Sequence, residues 1–336
     1  VWNDERQLIS ATDPALGLWT FGYDEAGNLS STKDPLGRNE STLWLEHWSL
    51  PRAHTDAAGN HWHYRYDARG NRTHEADPLG QVTRYRFDED GRVVEIIDAS
   101  GKSKQLRWNA FGQLLAYVDC SGYTTEFQYD RLGFLNRITD AFGEPTDYCH
   151  DAQGRLLQRE SPVGRIERFL RDDSGLLIGY VNAAGDLTRY QYNRRGQLQR
   201  RLDPHERAVD YRYDAYGRLD ALINENGETY RFGWDAGDRL SSWQNLDGGQ
   251  RHYRYDALDN PVWIRQAAGE EAIVHVLERD AVGRLVARLT DDGRTAYDYD
   301  ALDNLVEVNF IDPDGDRQSI GFYYDGLGQL LSETTA

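Results

Sequence analysis

The sequence predicts an all-β fold: a long antiparallel meander of β-hairpins, one for about every 21 residues, curling into a spiral, hollow wall. Three observations carry this. An aromatic followed by Asp or Asn recurs at a fixed step along nearly the whole chain. A Gly, or a residue that tolerates a left-handed backbone, closes almost every one of these motifs. Hydrophobic residues make up only 39% of the chain while aromatics reach 12%, with 21 Tyr and 9 Trp, which suits a thin sheet better than a thick aliphatic core.

The aromatic position comes first. It is occupied by Tyr23, Trp44, Tyr66, Phe87, Trp108, Tyr129, His150, Arg171, Tyr192, Tyr213, Trp234, Tyr255, Arg279, Tyr299 and Tyr324. Every step from Tyr66 to Tyr255 is 21 residues; the step before is 22, and those after are 24, 20 and 25. A fixed period of this length marks a repeat architecture. Fifteen copies leave little of residues 1–336 outside the array, so the expectation is a single array with no linker and no second domain.

The turn follows. The next residue is Asp or Asn in every copy except Leu45. Three residues further on stands Gly in eleven copies, Asp238, Asp259 and Asp303 in three, and Trp48 in one. Gly, Asn and Asp are the residues that accept a left-handed backbone, and an Asp or Asn at the turn's start can accept backbone N–H groups. The plainest copies supply the structural signature: Tyr23 with Asp24 and Gly27, Tyr66 with Asp67 and Gly70, Phe87 with Asp88 and Gly91, Tyr129 with Asp130 and Gly133, Tyr213 with Asp214 and Gly217, and Tyr324 with Asp325 and Gly328.

The strands flank it. A ring sits two residues before the aromatic in twelve copies, as at Tyr64, Tyr85, Phe127, Tyr190 and Phe232, and Leu sits six residues after it in twelve. Spacing of two puts both rings on one strand face, and the residue between them is usually polar, as with Arg65, Arg86, Arg107 and Arg212. The sheet is expected to have one aromatic–leucine face and one charged face. A second turn closes most repeats, as in Asp77-Pro-Leu-Gly80 and Asp98-Ala-Ser-Gly101. Two strands per repeat give about thirty, a sheet on the order of 140 Å wide, and open sheets rarely exceed about ten strands without curling or splitting. A propeller of four-stranded blades also fits the period, but it requires odd and even copies to alternate in character, and they do not between Tyr66 and Tyr255. The wall is favoured.

The runs YDARGNR, YDRLGFL, YDAYGRL and YDGLGQL resemble the YD-repeat or Rhs (rearrangement hot spot) family, which includes bacterial polymorphic toxins, a component of insecticidal toxin complexes and the teneurins. The resemblance implies a β-cocoon that encapsulates a toxic C-terminal domain until delivery by a type VI secretion apparatus or a toxin complex. It implies as partners that cargo domain, the remaining shell segments and a secretion chaperone or spike protein, and a product secreted or delivered from a bacterium. Bacterial members commonly end in a self-cleaving region with an Asp-Pro-x-x-Gly-Leu or similar junction. Here Asp34-Pro-Leu-Gly37 and Asp77-Pro-Leu-Gly80 are followed by Arg38 and Gln81 and read as second turns. The chain contains no Met, and no variable domain follows Leu331, so the expectation is the middle part of a shell cut from a longer polypeptide.

Charge and chemistry narrow the function. A net charge of −18 opposes nucleic acid and anionic membrane surfaces. No apolar run approaches the roughly 18 residues of a membrane-spanning helix. Cys120 and Cys149 are too few for a disulfide framework and read as free thiols. The repeated Asp argues against catalysis, since an active site needs one special carboxylate pair rather than twelve equivalent ones. His61 and His63, with His54 or His74, offer weak metal spacing, and Asp312, Asp314 and Asp316 lack the Glu and the helices of an EF-hand. The reading is therefore a non-enzymatic structural segment with no cofactor and no metal site. The competing class is a cell-surface adhesion or glycan-binding module whose rings stack on sugars, although rings at recurring strand positions more often pack across strands. The irregular copies at His150, Arg171, Arg279 and Trp44–Pro51 are candidate contacts with cargo, with other parts of the shell or with a partner, and equally fit drift that a repeat array tolerates.

Overall fold

The structure, a computed structural model, describes every residue except Glu270 and Ala336. It holds 31 strands, from Ser10–Thr12 to Leu330–Thr335, and no helix among the described residues. The strands form one antiparallel sheet. Pairing runs between chain neighbours: Leu114–Val118 pairs with Ser103–Trp108 before it and with Thr124–Tyr129 after it. No described pairing joins the first strand to the last, so the sheet is open rather than a barrel, and its continuity leaves no separate propeller blades.

Local chemistry explains each hairpin. The Asp-x-x-Gly segment makes a three-residue loop, a type I turn whose last residue is left-handed, which matches the right-handed twist of the flanking strands. The aromatic lies at a bulge, where the register shifts between Gln128 and Tyr129 or between Arg212 and Tyr213. Asp238, Asp259 and Asp303 adopt the left-handed conformation that the sequence required of them, at φ 61°, 63° and 66°. Arg6, Leu16 and Glu206 do so as well, at 63°, 68° and 64°, against their own steric preference.

One repeat escaped the sequence reading. Trp2 bridges Leu8, Asn3 N–H donates to Gln7 O at 3.0 Å, and Arg6 N–H donates to Asn3 O at 3.1 Å. This is the same turn with Arg standing where Gly is usual. The Trp44 copy departs the other way: Leu45 pairs directly with Trp48 across a two-residue turn at Glu46 and His47, and Trp48 opens the strand Trp48–Thr55.

The sheet is thin in the sense that matters for packing. The buried apolar residues are Ala53, Ala116, Val209, Ala221 and Ala287, and no large side chain is fully buried among the described residues. Three of these alanines lie opposite long residues across the ladder, in the pairs Arg107–Ala116, Arg212–Ala221 and Glu278–Ala287. A stem laid over a small neighbour buries it without a second layer.

Two compact units share the chain: Val1–Arg84 with Gly233–Ala336, and Tyr85–Phe232. In the first unit, residues from its two sequence segments meet through their turns.

Candidate functional site

The signature residues build two devices, a turn lock and a latch. In the copy headed by Asp67, Oδ1 accepts the N–H of Arg69 at 2.9 Å and of Asn71 at 3.0 Å. Gly70 N–H donates to Asp67 O at 3.1 Å with φ +87°, and the Asn71 side-chain amide donates to Oδ2 at 2.9 Å. Asp24, Asp88, Asp130, Asp214 and Asp325 accept the same two N–H groups, and Gly27, Gly91, Gly133, Gly217 and Gly328 all have positive φ. The residue four after the Asp supplies the bond to Oδ2: Asn28 beside Asp24, Arg92 beside Asp88, Arg218 beside Asp214. These bonds lower carboxyl pKa values. The Asn28 side-chain amide and neighbouring N–H groups hold Asp24 below its ordinary 3.8, while for Asp214 a burial effect in the opposite direction is outweighed by the N–H and guanidinium of Arg218.

The same lock closes the second turns. Asp34 Oδ1 accepts the N–H of Leu36 and of Arg38, and Asp77 Oδ1 accepts those of Leu79 and Gln81, so both Asp-Pro segments are turns. Asp312 heads another, accepting Asp316 N–H at 2.9 Å.

The latch was not foreseen. The Tyr213 hydroxyl donates to Leu198 O at 2.7 Å, Tyr129 to Leu114 O at 2.9 Å, and Tyr23 to Leu8 O at 3.0 Å. Tyr66 reaches Pro51 O and Tyr324 reaches Leu305 O, both at 2.9 Å. Each ring therefore spans back to the preceding repeat and caps the carbonyl of the residue that follows its turn. Trp108 does so with its indole N–H to Val93 O at 2.7 Å, and Arg279 with its guanidinium to Pro261 O at 3.2 Å. Phe87 has no donor to offer. The available signal was the preference for Tyr and Trp over Phe at this position, because an amphipathic ring with a donor tip is what a latch needs. Burial raises the phenol pKa of Tyr66, Tyr192, Tyr213, Tyr255 and Tyr299 above its ordinary value, consistent with rings that lie partly buried against the preceding repeat.

The aromatic face is less uniform than its periodicity suggests. On that face Arg159 lies opposite Tyr148 on one side and Glu167 on the other. Arg159 Nη1 donates to Glu167 at 2.9 Å, and the Tyr180 hydroxyl donates to the same carboxylate at 2.5 Å. Tyr180 first and Arg159 second hold the Glu167 carboxyl below its ordinary value. His150 and Arg171 lie on neighbouring repeats, and His150 Nδ1 and Arg171 Nε are buried without a hydrogen-bond partner. The expected aromatic–leucine face thus carries a polar interruption in the unit Tyr85–Phe232. The opposite face is ionic as expected, with Arg137–Asp147 and Arg200–Asp210 each at 2.5 Å across neighbouring strands.

A third feature joins distant repeats in the other unit. Arg38 binds Asp34 at 2.6 Å and, 265 residues away, Asp303 at 2.5 Å, and it donates to Ala301 O at 3.2 Å. Arg284 also binds Asp303, at 2.6 Å. The turn carrying Ala301 and Leu302 shares a cleft with Asp34, Arg38 and Ala57. One repeat on, a Cβ added to Gly326 would lie 3.3 Å from Asn60 Oδ1 and 3.7 Å from Leu79 Cδ2. Each YD turn here sits between two second turns of a far earlier stretch, forming a seam.

Other candidates assemble no site. His61 bonds Thr55 and stacks on His63 at 6.4 Å, while His54 faces Trp62 at 5.9 Å. Among the described residues no three His, Cys, Asp or Glu are grouped to hold a metal. Cys120 and Cys149 are exposed and unpaired.

The teneurin YD-shell family model matches residues 80–267 and 143–336, overlapping stretches that contain the locks at Asp88, Asp130, Asp214 and Asp325 and the latches of Tyr129, Tyr213 and Tyr324. The chain belongs to the teneurin YD-shell family. An RHS repeat model matches residues 2–38 and 50–81 of this YD-shell. Among solved structures, the TcdB2-TccC3 complex superposes with a TM-score of 0.64 at 17% identity, over 100% of this chain and 20% of that one. The Tc holotoxin pore of Photorhabdus luminescens gives 0.62 at 14% identity, over 96% and 21%. The TcdB2-TccC3-Cdc42 complex gives 0.62 at 13% identity, over 96% and 22%. This YD-shell therefore shares their fold and spans about a fifth of the length of the solved chains it matches. No curated protein matches.

Proposed function

We propose that the chain is a non-enzymatic wall segment of a shell that encloses a toxin domain of the same parent polypeptide and keeps it inactive until delivery. The observation that supports this most is the construction of the sheet. It has 31 strands in one layer, with no large side chain fully buried among the described residues, and consecutive repeats are tied by latches. Such a sheet is built to separate two spaces rather than to fill one. The residues 1–336 act as one repeat array, and the signature Tyr, Asp and Gly residues are its structural parts, with no chemical role on a substrate.

The remaining shell segments complete the enclosure. The likeness to Tc toxin assemblies favours delivery through a toxin complex over type VI secretion, with action outside the producing cell. The polar interruption around Arg159, Glu167 and Tyr180 is the part of the aromatic face suited to hold a polar cargo segment. The test is limited proteolysis of the parent protein. The C-terminal domain is expected to resist protease and stay inactive while the repeats are intact, and to be cleaved and become active once they are unfolded. A cargo domain cut as fast in the intact parent as in isolation overturns the reading.

A further inference from the structure

One row on the charged face replaces attraction with repulsion. In two repeats of the unit Tyr85–Phe232, three residues stand side by side across neighbouring strands: Gln128, Arg137 and Asp147, and Gln191, Arg200 and Asp210. In each row the Arg binds the Asp at 2.5 Å. Within the other unit the same register positions hold Arg65, His74 and Arg84. A guanidinium stands where those rows have a carboxylate, and a second where they have a neutral amide. Basic residues directly opposite one another weaken a sheet, and the row runs against the chain's net charge of −18.

The row crosses a cleft of about 530 Å³ lined by Arg52, His63, Arg65, His74 and Arg84. Tyr64, Ala76 and Val82 complete its wall, so no acidic side chain lines it. Among the described residues the guanidiniums of Arg52, Arg65 and Arg84 have no hydrogen-bond or ion-pair partner. The Thr73 hydroxyl donates to Arg65 O at 3.2 Å, so its oxygen accepts from His74 Nδ1 at 3.0 Å and His74 Nε2 is left over. These groups lie on four consecutive strands, Trp48–Thr55, His61–Tyr66, Arg72–Ala76 and Val82–Phe87, roughly 14 Å across at the usual strand spacing. A single small anion does not reach across that width. A planar carboxylate fills one guanidinium fork, whereas a phosphate or sulfate presents oxygens in several directions and can take donors from two strands. The chain's net negative charge repels a long polyanion, which favours a compact one.

We propose that this cleft binds a compact polyanion carrying two or more phosphate or sulfate groups, held by Arg52, Arg65 and Arg84 with His63 and His74 beside them. The bound oxyanions supply the negative charge that Asp147 and Asp210 supply in their own rows, and so remove the repulsion.

Isothermal titration calorimetry with inositol hexakisphosphate, sucrose octasulfate and inorganic phosphate tests this. At least one of the two polyanions is expected to bind one to one, and inorganic phosphate about tenfold or more weaker. Binding of the first alone assigns the site to phosphate esters, and of the second alone to sulfated sugars. Arg65→Gln and Arg84→Asp introduce the residue types native at Gln191 and Asp210 in the same register, so the fold already accommodates them. Each is expected to weaken binding about tenfold or more. Arg212→Gln, at the position equivalent to Arg65 in the other unit, should leave affinity unchanged. The bound polyanion is also expected to raise the urea midpoint of the wild type and to leave that of Arg84→Asp unmoved. Three results overturn the proposal: neither polyanion binds, inorganic phosphate binds as tightly as they do, or Arg212→Gln weakens binding as much as Arg65→Gln, which would make the attraction diffuse.

Discussion

The two units carry the same turns and latches but treat the turn tips differently. In the unit Val1–Arg84 with Gly233–Ala336, Ala301, Leu302 and Asp303 are held against Arg38 and Asp34, and Leu36 is 39% exposed. In the unit Tyr85–Phe232, Phe111 and Phe142 stand 89% and 84% exposed. Repeats made by one local rule therefore become different surfaces. The hairpin is a property of some twenty residues, whereas the fate of its tip depends on what lies 265 residues away.

Acid should act on what the units share, and it is expected to have the largest effect. The turn carboxyls of Asp24, Asp67, Asp88, Asp151, Asp214, Asp235 and Asp280 are all held below their ordinary 3.8. Their contribution is complete above about pH 4 and is lost as pH falls through the depressed folded-state values. Urea unfolding midpoints are expected to drop steeply below about pH 4, and Asp→Asn at several turn heads, the residue native at Asn109 and Asn193, should flatten that drop. An unchanged acid slope in such a variant would remove the carboxylate from the lock.

The latch comes next. Tyr213→Phe in one unit and Tyr299→Phe in the other each leave a carbonyl without its donor. Each is expected to cost about 1–2 kcal/mol of unfolding free energy. The comparison fails if one unit is insensitive. Backbone strain should give a smaller gain of the opposite sign. Leu16→Gly and Glu206→Gly relieve a left-handed non-glycine residue in each unit and are expected to stabilise by about 1 kcal/mol, read as a higher denaturation midpoint.

The smallest effect separates the units. Arg38→Ala removes a partly exposed seam pair and is expected to cost about 0.5 kcal/mol, with faster hydrogen exchange in the turn Asp300–Asp303. Arg165→Ala, at the matching turn position in the other unit, should leave both stability and exchange unchanged. Equal responses would dissolve the distinction between an engaged turn and an exposed one.

How much of this was legible can be judged residue by residue. Asp238, Asp259 and Asp303 were placed in left-handed turn positions from residue type alone, because glycine's conformational freedom has few substitutes. The copy at Trp2–Leu8 was hidden because Arg6 adopts that conformation against its preference. The polar interruption of the aromatic face was half visible: His150 and Arg171 broke the repeat, but the meeting of Arg159, Glu167 and Tyr180 needed the register of three strands. The latch left only a statistical trace in the preference for Tyr over Phe.

From the sequence alone followed the all-β meander, its turns, its strand count of about thirty and the family it resembles, because each depends on contacts within one repeat and repetition amplifies a local signal. The seam of Arg38 with Asp303 was decided only in three dimensions. Nothing near either residue encodes it, since contacts within one repeat cannot specify a partner 265 residues away.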